Sequence, residues 1–241
     1  DGLTLSKGAF GTGSAAYVDN TLIWVGNDGI VYRRGSVPQR ISDHGIEEQI
    51  AKSTTANLFS FVWVGHTMLV LKLDLYTYVY DFETQEWSEY SSVGFNGWRA
   101  SCGIFDGITA LFGDSRTGNV MVLDPTTLMD GDALIERRFT ALVPDQMVIH
   151  NLTLDAQGGI GSEPNGNPIE VELSISRDGS QTYSEFIQTT LGKRGEYRKL
   201  ARWRRLGRYD MGAVLDFRVT DTAPFAIQSI RVNEPLAGRG S

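Results

Sequence analysis

Short apolar runs separated by turn residues dominate the chain. A typical example is residues 21–26 (TLIWVG), which a turn at residues 27–29 (NDG) joins to a second run at residues 30–32. Runs rich in Val, Ile, Tyr, Phe and Trp between Gly, Asp, Asn and Ser are typical of β-hairpins. Helical spacing is confined to residues 44–52, where Ile46 and Ile50 lie four positions apart. The pattern therefore predicts an all-β protein with one short helix.

The first half of the chain repeats one hairpin unit three times. Tyr32, Tyr80 and Leu123 take equivalent positions in the three units, 48 and 43 residues apart. Three or four short strands every roughly 40–50 residues are typical of β-propeller blades. The strands that precede the hairpins are predicted at residues 13–18, 57–64 and 99–105, and the outer strands at residues 39–42, 86–89 and, more weakly, 128–133.

The pattern changes near residue 135, where the runs become longer and alternate more cleanly. Seven strands in about 100 residues, with regular turns, are typical of a β-sandwich. In the strand predicted at residues 169–176, the odd-numbered residues are apolar and are expected to face the core. The even-numbered residues are polar and are expected to form a wet face exposed to solvent. The seven strands are predicted at residues 135–142, 147–154, 169–176, 184–188, 199–204, 214–219 and 227–232.

These patterns predict two domains. Residues 1–134 are expected to form propeller-like repeats of about three blades, and residues 135–241 an antiparallel β-sandwich. A closed propeller uses four or more blades, so we expect the three blades to belong to a larger propeller. The chain also begins at Asp1 without a methionine, which fits the expectation that a further portion precedes it.

Charge is distributed unevenly along the chain. The 241 residues include 22 basic and 29 acidic side chains, for a net charge of −7, yet residues 192–209 hold eight basic residues and a single acid. We call this segment the basic strip. Its candidate interface residues are Lys193, Arg194, Arg198, Arg202, Arg204, Arg205 and Arg208.

Three interpretations of the basic strip follow from its chemistry. Its side chains could be solvated or paired within the fold, could bind nucleic acid, or could dock on an acidic neighbouring subunit. As a strand, the strip would place Arg202, Arg204 and Leu206 on one face and Trp203 and Arg205 on the other. Trp203 could stack on a nucleobase, but a sandwich of this size favours a core tryptophan.

Motifs for catalysis, metals and cofactors are absent from the sequence. His44, His66 and His150 do not share ligand spacing with each other or with Cys102, the one cysteine, which we expect to be buried and inert. The sequon at residues 151–153 falls in a predicted strand and is discounted as a glycosylation site. The sequence therefore predicts no catalytic site, no cofactor and no metal.

One local motif has a more specific sequence pattern than the others. Residues 176–183 (SRDGSQTY) are similar to an Asp-box, a folded hairpin in which the aspartate side chain accepts hydrogen bonds from the amides of the turn and a glycine takes a positive φ. The aromatic residue is expected to tuck beneath the turn, and the motif's usual role is structural. The residues concerned are Ser176, Asp178, Gly179, Thr182 and Tyr183.

Longer stretches resemble a phage family. Four sequence segments are similar to the C-terminal part of bacteriophage tail-hub proteins: residues 176–183, 191–197 (LGKRGEY), 203–208 (WRRLGR) and 214–224. Residues 26–33 (GNDGIVYR) and 79–89 (VYDFETQEWSE) resemble the blade-like part of the same proteins. The nearest named group is the packaged-DNA stabilisation, tail accessory or nozzle, proteins of short-tailed phages, and the resemblance covers residues 13–235.

The resemblance implies a non-enzymatic virion protein of the tail, assembled in the bacterial cytoplasm. Such proteins form a homo-oligomeric ring, usually a hexamer, that contacts portal and adaptor proteins, closes the channel over packaged DNA and carries tail fibres or a needle. DNA would pass the channel without sequence-specific binding, and no membrane contact is implied. A glycan-binding or sialidase-like propeller and a direct nucleic-acid-binding module stay open as alternatives.

Overall fold

The computed structural model describes residues 7–124 and 126–234. The chain divides into two compact units, Asp1–Thr126 and Thr127–Ser241. The prediction of an all-β protein is confirmed, and so is the single helix α1 (His44–Lys52). The Asp43 side chain caps α1 by accepting a hydrogen bond from the Ile46 amide at 2.8 Å, which satisfies one of the free amides at the helix start.

The first unit contains three antiparallel sheets, one for each predicted repeat. Blade 1 consists of β1 (Ala15–Val18), β2 (Thr21–Val25), β3 (Val31–Arg33) and β4 (Gln39–Arg40). Blade 2 consists of β5 (Ala56–Trp63), β6 (His66–Leu73), β7 (Thr77–Asp81) and β8 (Glu86–Glu89). Blade 3 consists of β9 (Ala100–Phe105), β10 (Ala110–Asp114) and β11 (Val120–Leu123).

Blade 2 is apolar on both faces, so that blade 1 packs against one face and blade 3 against the other. Along β6, Leu69 and Leu71 lie in a core shared with blade 1, whereas Met68 and Val70 lie in a core shared with blade 3. Successive strand residues point to opposite faces, so one strand can serve both cores. A single blade cannot bury both faces by itself, and its neighbours complete the burial.

Blade 3 lacks the outer strand that was expected at residues 128–133. That prediction is wrong, because β12 (Met129–Asp130) and β13 (Ala133–Leu134) pair with each other in the second unit. The face of blade 3 that points away from blade 2 is apolar and exposed, with Val120 71% and Val122 55% exposed. The matching residue Val31 of blade 1 is fully buried.

The second unit is a sandwich of two antiparallel sheets, with all seven predicted strands present. The first sheet has the order β14 (Arg137–Val143), β19 (Ala213–Val219), β16 (Glu170–Ser176) and β17 (Ile187–Thr190). The second has the order β18 (Ala201–Tyr209), β15 (Met147–Ala156) and β20 (Ile227–Val232). Side chains from both sheets form one core, which includes Leu152, Leu173 and Phe217.

The predicted wet face of β16 is only half correct. Val171 and Leu173 are fully buried as expected, but Ser174 and Ser176 are buried as well, at 1% and 0% exposure. The hairpin that follows β16 folds over them, and the Ser174 hydroxyl donates to the Ser184 carbonyl at 2.5 Å. Buried hydroxyls are tolerated where such a partner exists.

Asp74 connects the segment after α1 to the turn between β6 and β7. Its carboxylate accepts hydrogen bonds from the hydroxyls and amides of Thr54 and Thr55, at 2.5–3.1 Å. These bonds, above all the one from the Thr55 hydroxyl, lower the pKa of Asp74 to about 2. They favour the charged form, so they contribute to stability only while Asp74 is ionised.

Asp74→Asn is therefore expected to flatten the acid dependence of stability. A carboxylate whose folded pKa lies below its unfolded value, about 3.9, stabilises the fold above that value and loses the contribution as pH falls towards the folded pKa. The wild-type urea midpoint should fall more steeply than that of the variant between about pH 4 and pH 2. Parallel curves for the two proteins would show that Asp74 makes no such contribution.

Candidate docking surface

β18 carries the central part of the basic strip and is an edge strand. Trp203 points inward, is 3% exposed, and packs edge-to-face on Phe217 with ring centroids 5.7 Å apart. Its indole Nε1 donates to the Ile187 carbonyl at 2.8 Å. The buried indole cannot stack on a base, so Trp203 holds the strand in place by packing.

A β-bulge in β18 changes which side chains reach the surface. Asn151 of β15 pairs with Arg204 and Ile149 with Gly207, so two residues of β18 stand opposite one of β15. The predicted alternation is therefore wrong from Arg205 onwards: Arg205 is exposed, and Leu206 is buried at 9% exposure. A bulge inserts one residue and re-aims the side chains beside it.

The bulge places three arginines on one exposed surface. We call Arg202, Arg204 and Arg205 the arginine triplet, and all three are exposed. The residues that pair with Arg202 and Arg204 on β15 are Thr153 and Asn151, which are neutral. Across the described part of the chain, no side-chain hydrogen bond or ion pair involves the triplet.

Arg205 adopts a conformation that arginine normally avoids. Its φ is +58°, in the left-handed region, which costs an L-residue roughly 1–2 kcal/mol. Glycine is the usual residue at this point of such a bulge. Backbone strain of this kind is found most often at functional sites, which makes Arg205 a candidate contact residue.

Arg205→Gly is expected to raise the stability of the sandwich unit by about 0.5 kcal/mol, because glycine relieves the strain of a positive φ. Arg204→Gly is the matched control. It has no positive φ to relieve, and glycine inside a strand should lower stability by about 0.5–1 kcal/mol. Urea denaturation of both variants measures the difference. A loss of stability in Arg205→Gly would contradict the strain.

The remaining residues of the basic strip divide into paired and unpaired groups. Arg194 pairs with Glu163 at 2.6 Å, Arg208 with Asp210 at 2.7 Å, and Lys199 with Glu196 at 3.9 Å. Lys193 and Arg198 are exposed, and their side chains take part in none of the ion pairs described. The structure thus concentrates the unpaired charge on β18 and the loop before it.

The other sheet of the sandwich shows how this fold treats charges that it needs internally. On its outer face, Arg138 binds the carboxylate of Asp216 through Nε at 2.9 and 3.0 Å, and Asp216 is 1% exposed. Arg218 binds Glu172 at 2.5 Å. Since these arginines have carboxylate partners, the unpaired triplet on β18 is a local feature and not a general property of the sandwich.

The Asp-box-like turn has the expected hydrogen bonds. Asp178 accepts from the Thr182 hydroxyl at 2.5 Å and from the amides of Gln181 and Thr182 at 3.0 and 2.9 Å. These bonds, first that of the Thr182 hydroxyl, hold the pKa of Asp178 well below its usual range. Gly179 has a φ of +72°, as the motif requires.

The expectation for the aromatic residue of that turn is wrong. Tyr183 is 38% exposed and does not tuck beneath the turn. Ser184, which is also exposed, joins the turn to β16 instead, since its hydroxyl accepts a hydrogen bond from the Ile175 amide at 3.1 Å. These hydrogen bonds hold the turn against β16, and residues of the turn line a cavity together with Met211 and Gly212.

The three histidines and the cysteine lie on different secondary-structure elements and do not form a common site. His66 contacts Asp81 at 2.7 Å, His44 lies near Glu47, and His150 is exposed on β15. Within the described ranges, no group of three or more metal-binding side chains is found. The sequon at residues 151–153 does lie in β15. Cys102 is exposed, not buried as predicted, because it lies on the uncovered face of blade 3.

Two features of these surfaces do not follow from the alternation of the sequence. The first is the bulge, since regular alternation through residues 203–206 (WRRL) places Arg205 inward, although two adjacent arginines before a leucine already break that alternation. The second is a set of unpaired carboxylates, Glu83, Glu86 and Glu89, on the hairpin formed by β7 and β8. Its signal was the acidic segment ETQEWSE, which was interpreted only as an outer strand.

Two solved structures resemble this fold only weakly. They are structures of an exo-β-1,3-galactanase from Phanerochaete chrysosporium, at 10% and 9% identity and TM-scores of 0.26 and 0.27. The matches cover 88% of this chain and 65% and 64% of those chains, so the chain spans less than two thirds of their length. Among curated proteins, none matches the chain significantly.

Family models match both units. The model described as "Bacteriophage P22 Gp10, beta-propeller" matches residues 1–128, and the model described as "Bacteriophage P22 Gp10, beta-sandwich" matches residues 137–234. Together they cover most of the chain in the order of the two observed units. No helix in the described residues is long and apolar enough to cross a membrane. The chain therefore belongs to the bacteriophage P22 Gp10 family, whose propeller and sandwich models match its two units in order.

Proposed function

We propose that the protein forms a homo-oligomeric ring in the phage tail, next to the portal and adaptor rings. The ring closes the channel after packaging, retains the DNA, and carries the tail fibres or needle. The observation that carries the proposal is the match of both units to the P22 Gp10 models. The fold supports a scaffold role, since its charged side chains mostly serve ion pairs and turns.

The charge of the chain fits a channel through which DNA slides. A net charge of −7 repels a phosphate backbone, and a basic domain is what a sequence-specific duplex binder requires. DNA is therefore contained without being bound. The arginine triplet serves contacts between proteins, where charge complementarity sets orientation and the rate of encounter.

Genome retention tests this function. Particles are produced from a phage in which a nonsense codon replaces an early codon of the gene for this protein, with and without the protein supplied from a plasmid. We expect depleted particles to package DNA and then lose it, so that their DNA becomes accessible to nuclease. The plasmid should restore protection. Depleted particles that keep full-length, nuclease-resistant DNA would refute the proposal.

A further inference from the structure

We propose that the arginine triplet docks on the acidic hairpin of a second copy of this chain. The acidic hairpin is the turn and strand after β7 that bear Glu83, Glu86 and Glu89. The inference rests on the proposed homo-oligomer and goes beyond it, because it assigns the two surfaces that meet between neighbouring copies.

The acidic hairpin has the properties that such a counterpart needs. Glu83, Glu86 and Glu89 are exposed, and among the residues that the structure describes none of them forms an ion pair. β8 is the outermost strand of blade 2, so Glu86 and Glu89 lie at the outer edge of the blade, and Glu83 lies in the turn that leads into this edge. In contrast, the neighbouring acids Glu47 and Glu48 are paired with Arg40 and Lys52.

The acidic hairpin is held rigidly. Trp87, between Glu86 and Glu89, packs on Tyr80 with ring centroids 5.0 Å apart, and its indole Nε1 donates to the Ile41 carbonyl at 2.7 Å. A rigid strand loses little conformational entropy on docking. Partial burial raises the pKa of Glu89 because it disfavours the charged carboxylate. A cation beside the carboxylate would have the opposite effect and lower the pKa.

The two surfaces match in number and in form. Each carries three like charges: the guanidinium groups lie on one strand, and the carboxylates lie on β8 (Glu86 and Glu89) and on the turn before it (Glu83). Arginine favours this pairing because its planar group binds a carboxylate with two parallel hydrogen bonds. Glu86 and Glu89 are three residues apart on β8, roughly 10 Å along the strand, which leaves room for more than one arginine–carboxylate pair.

The features of the triplet favour a protein partner over DNA. Its arginines lie on one strand, and the other arginines of that sheet are already paired, Arg208 with Asp210 at 2.7 Å and Arg231 with Asp155 at 2.9 Å and Glu234 at 2.7 Å. A phosphate backbone needs a broader basic surface. The strained Arg205 adds a third charge to the row, and this geometry suits a defined set of carboxylates.

Charge reversal on each surface tests the proposal with two complementary variants of the full chain. The strip variant carries Arg202→Glu, Arg204→Glu and Arg205→Glu. The hairpin variant carries Glu83→Arg, Glu86→Arg and Glu89→Arg. Alone, each variant brings like charges together, and we expect self-association about tenfold or more weaker than in the wild type. Mixed in equal amounts, the two variants present opposite charges at both contacts and should associate again.

Sedimentation velocity over a range of protein concentrations measures the association, and circular dichroism confirms that each variant is folded. Glu185→Arg is the matched control, since Glu185 is exposed and outside the acidic hairpin, and it should associate like the wild type. A wild type that stays monomeric at every concentration would overturn both the ring and this pairing. Association of the wild type with no loss in either variant would overturn the pairing alone. A strip variant that keeps its association but loses salt-dependent DNA binding would overturn it in favour of DNA.

Discussion

Replacing Val70 with aspartate should unfold the blade unit, whereas the same change at Val122 should be tolerated. Val70 is fully buried between blades 2 and 3, and Val122 is 55% exposed on the other face of blade 3. Burial of a carboxylate in an apolar core without a partner, together with the lost apolar contact, should cost about 4 kcal/mol or more. At the exposed site the effect should stay within about 0.5 kcal/mol.

Hydrogen exchange resolved by peptide distinguishes the two outcomes. In Val70→Asp, the amides of β5, β6 and β7 should lose protection, while those of the sandwich unit keep it. In Val122→Asp, the pattern should match the wild type. If both variants lost protection equally, the outer face of blade 3 would have to be covered in solution.

Trp203→Ala should be the most damaging single truncation in the sandwich unit. It removes a buried aromatic ring that packs on Phe217, and such changes cost about 3–5 kcal/mol. It also leaves the Ile187 carbonyl without its indole donor. Trp203→Phe is the control that keeps most of the packing and loses only the hydrogen bond, which should cost about 1–2 kcal/mol.

Urea denaturation followed by exchange of sandwich peptides provides the measurement. The two variants should rank in the order of packing lost, with Trp203→Ala well below Trp203→Phe. A nearly unchanged stability of Trp203→Ala would show that Trp203 is not the anchor of β18. In that case a binding role for its ring would have to be considered again.

The elements that follow from local pattern were predictable from the sequence. The three blades and seven sandwich strands appear because alternation and turn residues act within a few positions. The helix at residues 44–52 is confirmed to the residue. The Asp178 turn was equally accessible, since its hydrogen bonds all lie within residues 176–184.

The features that depend on neighbouring elements were not predictable. Cys102 is exposed because the described chain places no sheet on that face of blade 3, and no local signal records what covers a face. Ser174 and Ser176 are buried by a hairpin that folds back over them. The bulge at Arg205 requires knowledge of the partner strand, since it is defined by two residues standing opposite one.

The candidate site shows the same division. The basic strip was visible as composition, but which of its arginines are unpaired depends on acids brought close by folding, such as Glu163 beside Arg194. The unpaired state of the acidic hairpin likewise emerges only once the ion pairs of the chain are known. Sequence located the charge, and the fold determined which part of it is available to a partner.

An image reconstruction of the virion at the portal vertex tests the central claim most directly. The blade unit and the sandwich unit can be fitted separately into the density. We expect both units in the tail next to the portal, in several symmetry-related copies around the channel. Density that fits neither unit in the tail, or that places the protein elsewhere on the particle, would contradict it.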